Sequence, residues 1–201
     1  YDFLNIEGQH FLIQEYVPGF NLRELLQRQG LPNAAQGIFL IKQALAALDY
    51  AHRFSYLDQS DFQRTGLIHA DLKPSNLLLD QRGRLHLTDF GVVNKVLTGE
   101  GRKTATTFEL ETIYLAPEQV RGMTPDASSD MYSLGVTFYE MLTGRVPYAN
   151  LSRTDALDVR RLNGEAEAQS LTQLRPDVPP QLALVIGRAI RRNAKERFAS
   201  A

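Results

Sequence analysis

The chain has 201 residues, 43% of them hydrophobic and 22% charged, with a formal net charge of -1 and no cysteine. That is enough for one domain with a real core and ordinary for a globular fold. The charge gives no basic field for nucleic acid or an anionic bilayer, and the lack of cysteine excludes a disulfide scaffold or a thiolate metal centre and fits a cytoplasmic setting. No apolar run approaches the roughly 20 residues that span a bilayer, and no leader pattern, repeat or low-complexity tract is present.

Residues 1–6 and 9–17 read as two strands around a turn at Glu7-Gly8, the second stopped by Pro18-Gly19. Residues 21–29 predict a helix. Asn21 is a good N-cap, Glu24 stands three positions later as in a capping box, and Gly30 ends the run. A second helix is predicted over residues 34–53, where Ile38, Ile41, Leu45, Leu48 and His52 recur at alternating steps of three and four. His52 closes that stripe as a structural histidine. Residues 54–65 are polar and lack a period, which predicts a surface loop; Asp58, Ser60 and Asp61 do not have the spacing of a calcium loop.

The stretch from Gly66 to Gly91, GLIHADLKPSNLLLDQRGRLHLTDFG, organises the rest. Leu67-Ile68, Leu77-Leu78-Leu79 and Leu85 with Leu87 read as short strands bounded by turn residues. Asp71, Lys73, Asn76 and Asp89 then hang from strand ends, where a rigid scaffold can aim them at one point. Asp71 is a candidate base and Lys73 a cation for a phosphoryl oxygen. Asn76 and Asp89 are hard oxygen donors of the kind that hold Mg²⁺ together with substrate phosphates. These are the parts of phosphoryl transfer, where positioning and charge stabilisation do most of the catalysis. Any one of them alone would read as a polar turn.

His69-Ala70-Asp71-Leu72-Lys73-Pro74-Ser75-Asn76 closely resembles the catalytic loop of eukaryotic-like protein kinases, Asp89-Phe90-Gly91 their magnesium-binding motif, and Ala116-Pro117-Glu118 the motif that closes their activation segment. The resemblance runs along the whole chain, and its C-terminal wording looks most like bacterial members. It implies an α+β, protein-kinase-like fold, mainly a helical large lobe with two strands of the small lobe: residues 1–17 as small-lobe sheet and hinge, 18–201 as large lobe, 89–118 as activation segment. It implies ATP and Mg²⁺ as cofactors and serine or threonine hydroxyls of proteins as substrates, since Lys73 follows the base by two positions. By matching position, Asp71 orients the substrate hydroxyl and Lys73 neutralises the γ-phosphoryl. Asn76 and Asp89 bind the metal. Glu15 and Val17 offer main-chain groups to the adenine edge, with Gln14 gating the pocket behind. Asn21 touches the ribose and Leu78 lies under the ring. His69 and Phe90 are packing residues.

Two departures stand out. The family usually has arginine where this chain has Ala70, and that arginine holds a phosphorylated activation segment. The expectation is a kinase not strictly gated by phosphorylation at Thr104, Thr106 or Thr107. The family's Gly-Thr pair is replaced by Leu110-Glu111, with Thr112 one place late, so either a slip lets Thr112 serve or substrate engagement changes. Residues 92–112 read as a mobile loop. Residues 130–142 are apolar almost all round and predict a buried helix, with Asp130 resembling the aspartate that bonds the catalytic-loop backbone. Further helices are expected at 155–164 and 181–192, joined by a proline-bearing connector over 171–180, and Arg197 is expected to pair with Glu118.

The glycine-rich phosphate loop and strand lysine of the family do not occur in these 201 residues, so the missing small lobe is expected upstream, with poor activity for the piece alone. The alternative, a pseudokinase or scaffold, draws on Ala70, Glu111 and that lysine. A small-molecule phosphotransferase is disfavoured by Leu72-Lys73-Pro74-Ser75-Asn76 and the long activation segment. No nucleic-acid partner is expected, and a membrane tether would lie elsewhere in a longer protein.

Overall fold

The computed structural model describes residues 2–57, 61–90, 113–147 and 168–201. The expected helix over 155–164, the loop over 92–112 with its threonines, and the pair Leu110-Glu111 all lie outside these.

Strands β1 (Asp2–Ile6) and β2 (Gln9–Ile13) form an antiparallel hairpin turning at Glu7-Gly8, as predicted. β2 stops four residues before Val17. Its last pair is Asp2 with Ile13, and residues 14–18 take no regular form. Strand β3 (Gly19–Asn21), missed in the sequence because Pro18-Gly19 reads as a stop, pairs antiparallel with β6 (Leu77–Asp80), which pairs with β7 (Leu85–Leu87). Gly19 is needed there: a Cβ would come within 2.0 Å of the Leu79 carbonyl oxygen.

Helix α1 (Leu22–Gln29) is capped as predicted. The Glu24 N–H donates to Asn21 Oδ1 at 2.9 Å and the Asn21 N–H to Glu24 Oε2 at 3.2 Å. Helix α2 (Ala34–Arg53) has the predicted bounds, with a second capping box at Asn33 and Gln36. Its buried face is Gly37, Leu40, Ile41, Ala44, Leu48 and Ala51. The predicted stripe was thus rotated: Ile38, Leu45 and His52 flank the contact instead of centring it. Small residues at 37, 44 and 51 let α2 lie close to its neighbours, which a count of large apolar side chains overlooks.

The expected loop over 54–65 is a correction. Strands β4 (Ser55–Leu57) and β5 (Gln63–Thr65) make an exposed antiparallel hairpin. β-Branched and aromatic residues at its ends supply the propensity, and its polar exterior hid the period. Leu67-Ile68 is not a strand either. The Leu67 N–H donates to the Ala51 carbonyl at 2.8 Å, so this run leaves α2 by bonding its last turn.

After β7, helix α3 (Pro117–Val120) precedes α4 (Ala127–Thr143), the element at the centre of the core. Asp126 caps α4, accepting from the Ser128 and Ser129 N–H groups, so the helix starts three residues before Asp130. Leu134, Val136, Phe138, Met141 and Leu142 are buried on different sides of it, as its all-round apolar sequence required. Gly135 permits a close approach, since a Cβ would stand 2.8 Å from Ile190 Cγ2 and 2.9 Å from Ala189 Cβ. The expected connector contains a short helix α5 (Leu171–Leu174), and α6 (Pro180–Ala189) ends three residues earlier than predicted. Ile186, Ala189 and Ile190 are buried against α4, while Val185 is exposed.

Arg197 ties the C-terminal turn to α3. Its Nη1 and Nη2 donate to Glu118 Oε1 and Oε2 at 2.6 and 2.8 Å, and further bonds reach the carbonyls of Arg191, Arg192 and Ser128. Burial pushes the Glu118 carboxyl up, but the bonds from Arg197 and Ser129 outweigh it and hold it below its ordinary value.

Candidate active site

Asp71, Lys73 and Asn76 lie on irregular backbone between α2 and β6, and the loop owes its shape to α4. Asp130, fully buried in the first turn of α4, accepts from the N–H of His69 through Oδ2 and from the N–H of Ala70 through Oδ1, each at 2.8 Å. His52 Nε2 reaches Asp130 Oδ2 at 2.9 Å, which gives the histidine at the end of α2 the structural role its stripe position suggested. These bonds satisfy the buried carboxylate. They hold Ala70 at a φ of 63°, a left-handed conformation that an alanine rarely adopts.

That turn directs Asp71 inward. Its Oδ2 lies 2.8 Å from Lys73 Nζ and 3.1 Å from Asn76 Nδ2, and its carbonyl accepts a second bond from Asn76 Nδ2 at 2.9 Å. All three side chains are buried, so they meet in surroundings where charge interactions are poorly screened. Pro74–Asn76 form a single 3₁₀ turn that sets Asn76 facing back across the loop. The β6–β7 hairpin brings the fourth residue alongside: the Thr88 N–H donates to the Asn76 carbonyl at 3.0 Å, and Thr88 Oγ1 to Asp89 Oδ2 at 3.3 Å. Asp89 has a φ of 63° and an exposed carboxylate.

His69 packs between these groups. Its ring sits 4.4 Å from that of Phe90, and Nδ1 accepts from the Asp71 N–H at 3.3 Å. Burial depresses its pKa, with Asp130 and Asp71 pulling weakly the other way, so the ring is neutral. Among the described residues its Nε2 finds no partner.

The remaining predicted residues lie in the three-stranded sheet, Asn21 on its edge strand β3 and Leu78 on its central strand β6, or ahead of it. Asn21 and Leu78 are directly paired across β3 and β6. The Asn21 oxygen is engaged in the α1 cap. Glu15 and Val17 fall in the irregular segment 14–18, whose Pro18 carbonyl accepts from the Gln81 N–H at 3.2 Å. The structure thus joins Asp71, Lys73 and Asn76 by direct bonds and Asp89 through Thr88.

Sequence reading missed Gln119, whose buried amide donates from Nε2 to the Ala70 carbonyl at 2.9 Å. It also missed a second cluster, in which Arg23 Nη2 and the Tyr114 hydroxyl meet at 3.2 Å and that hydroxyl donates to Glu140 Oε2 at 2.5 Å. Burial and the Glu140 charge raise the Tyr114 pKa. Neither set has a local spacing, because its members come together only through folding.

The whole chain, residues 1–201, matches the model of the protein kinase domain, and it belongs to that family. It is 34% identical over 196 residues to the serine/threonine-protein kinase PknL of Mycobacterium tuberculosis, covering 97% of this chain and 45% of that protein. It is 29% identical over 202 residues to the serine/threonine-protein kinase PrkC of Bacillus subtilis, covering 100% and 29% respectively. The chain therefore spans less than half the length of these relatives. The crystal structure of the Mycobacterium tuberculosis PknI kinase domain superposes with a TM-score of 0.68 at 24% identity, covering all of this chain and 65% of that one, a likeness of fold.

Proposed function

We propose that this domain transfers a phosphoryl group from Mg-ATP to a serine or threonine hydroxyl of a protein. The observation that carries the reading is the bonded set of Asp71, Lys73 and Asn76, a carboxylate with a cation at 2.8 Å and an amide at 3.1 Å on a clamped loop. Asp71 Oδ atoms accept or orient the proton of the incoming hydroxyl. Lys73 stands beside that oxygen, where its charge opposes the negative charge gathering on the transferred group. In this reading 1–17 are small-lobe sheet and hinge, 18–201 the large lobe, and 89–118 the activation segment.

The donor set fits a magnesium ion. Asn76 directs Nδ2 at Asp71, its Oδ1 accepts from Ser75 Oγ at 3.2 Å and keeps a second lone pair as a hard oxygen donor, and the Asp89 carboxylate is exposed. Mg²⁺ takes one or two such oxygens and completes its shell with phosphates and water, so a fuller cluster is not required. Among the described residues no three His, Asp or Glu side chains form a cage of their own. Mg-ATP bound there supplies the phosphoryl group and part of the neutralising charge. Main-chain groups of Glu15 and Val17 are assigned to the adenine edge, Leu78 to the ring's underside and Asn21 to the ribose. The substrates are assigned to proteins, not nucleic acid, and the setting to the cytoplasm. Among the described residues no helix is long and apolar enough to cross a membrane.

The test is Asp71→Asn in the full protein, followed as ATP-dependent labelling of itself and of a generic basic protein. Loss of a base contributes about 10²–10⁴-fold, so labelling should fall by that order. Labelling at the wild-type rate sinks the reading.

A further inference from the structure

Ala70 is tied on both sides. Its N–H donates to Asp130, and its carbonyl accepts from Gln119 Nε2 at 2.9 Å. Gln119 lies on α3, immediately after Ala116-Pro117-Glu118 and 49 positions beyond the residue it holds. It is 2% exposed, and its other amide atom, Oε1, accepts from the Ala116 N–H at 3.0 Å. One side chain thus spans the loop that carries Asp71 and the helix that closes the segment running on from Asp89.

The carbonyl it grips belongs to the peptide plane joining Ala70 to Asp71. A turn of that plane changes ψ at Ala70 and φ at Asp71 and breaks the bond from the Asp71 N–H to His69 Nδ1 at 3.3 Å, so the backbone from which the Asp71 carboxylate reaches Lys73 and Asn76 is no longer held. A left-handed alanine gives no intrinsic preference for the observed orientation, so outside bonds must supply it. Ala70 has no side chain with which to make such a link, and the link runs through its backbone.

We propose that Gln119 is a positioning residue for phosphoryl transfer: its amide fixes the Ala70–Asp71 peptide plane, aims the Asp71 carboxylate, and makes the catalytic loop sense whether residues 113–121 are in place. This rests on the reading of Asp71 as the base.

The discriminating substitution is Gln119→Glu in the full protein. It keeps an oxygen for the Ala116 N–H and replaces only the donor that faces the Ala70 carbonyl. At pH 8 kcat should fall about tenfold to a hundredfold, as for other small misplacements of a catalytic group, with KM for ATP within about twofold. At pH 6 the deficit relative to wild type should shrink, because a protonated carboxyl donates again. Gln119→Met, similar in length and with no donor, keeps the chain packed if the carboxyl does not, and should show the same deficit at both pH values. Wild-type kcat in both variants at pH 8, beside an active wild type, overturns the proposal and leaves the assignment of Asp71 intact. A wild type that transfers no phosphoryl group overturns both.

Discussion

Asp130→Asn tests the claim that α4 shapes the catalytic loop. The carboxylate takes three bonds: the His69 N–H and His52 Nε2 on Oδ2, and the Ala70 N–H on Oδ1. An asparagine of the same shape has one oxygen. Placed where Oδ2 was, it keeps His69 and His52 and turns an NH₂ donor against the Ala70 N–H. A buried N–H left unpaired costs about 1–3 kcal/mol. Letting Ala70 out of the left-handed region returns about 1–2 kcal/mol, so the loop gains little by holding its shape once the bond is lost. For a domain of this size each kcal/mol moves Tm by about 2–4 °C, which places the expected fall near 2–12 °C. Activity should suffer more. A displacement of Asp71 by an ångström costs on the order of 10²-fold in kcat, with KM for ATP little changed. Calorimetry and steady-state kinetics on the full protein measure both. A variant that melts lower and keeps wild-type kcat would show that Asp130 supports the fold without aiming Asp71, and the reasoning fails.

Arg197→Met leaves the partly buried Glu118 without its cation and should cost up to about 3–5 kcal/mol, while Arg197→Met with Glu118→Gln should recover part of it; additive losses in chemical denaturation would argue against a coupled pair. The folded His69 ring, its pKa lowered from 6.5 by burial, resists a proton that the unfolded chain accepts. Stability is therefore at its full value above pH 6.5 and is lost as pH falls through that value towards the folded pKa, and His69→Phe should flatten this part of the profile; an unchanged slope between pH 6.5 and 5 would remove His69 from the account.

Where sequence and fold agree, the signal was local. The capping boxes at Asn21 and Glu24 needed only residues within one turn, and α2 took its predicted bounds because an Asn cap and a long apolar period coincide. Where they differ, a distant partner decided. β3 exists because β6 lies beside it, and Leu67-Ile68 bonds the last turn of α2 in place of a sheet. The rotated stripe of α2 has the same origin: Gly37 lies against Leu142 and Met141 of α4, and the buried face runs through Ala44 and Ala51 while Ile38 is left at the margin.

The sequence by itself determined which chemical groups are present and their order along the backbone: Asp71, Lys73 and Asn76 within six residues, then Asp89 after a hairpin, a set whose spacing already limits the chemistry. The resemblance pointed to Asp130 as one clamp on that loop; only the tertiary structure decided the rest of how it is held. Asp130 and Gln119 stand 60 and 49 positions from Ala70, and their bonds fix a backbone conformation that alanine has no local reason to adopt. Local preferences act through neighbours on the chain; a strained turn persists only when groups brought from far along it outweigh its cost.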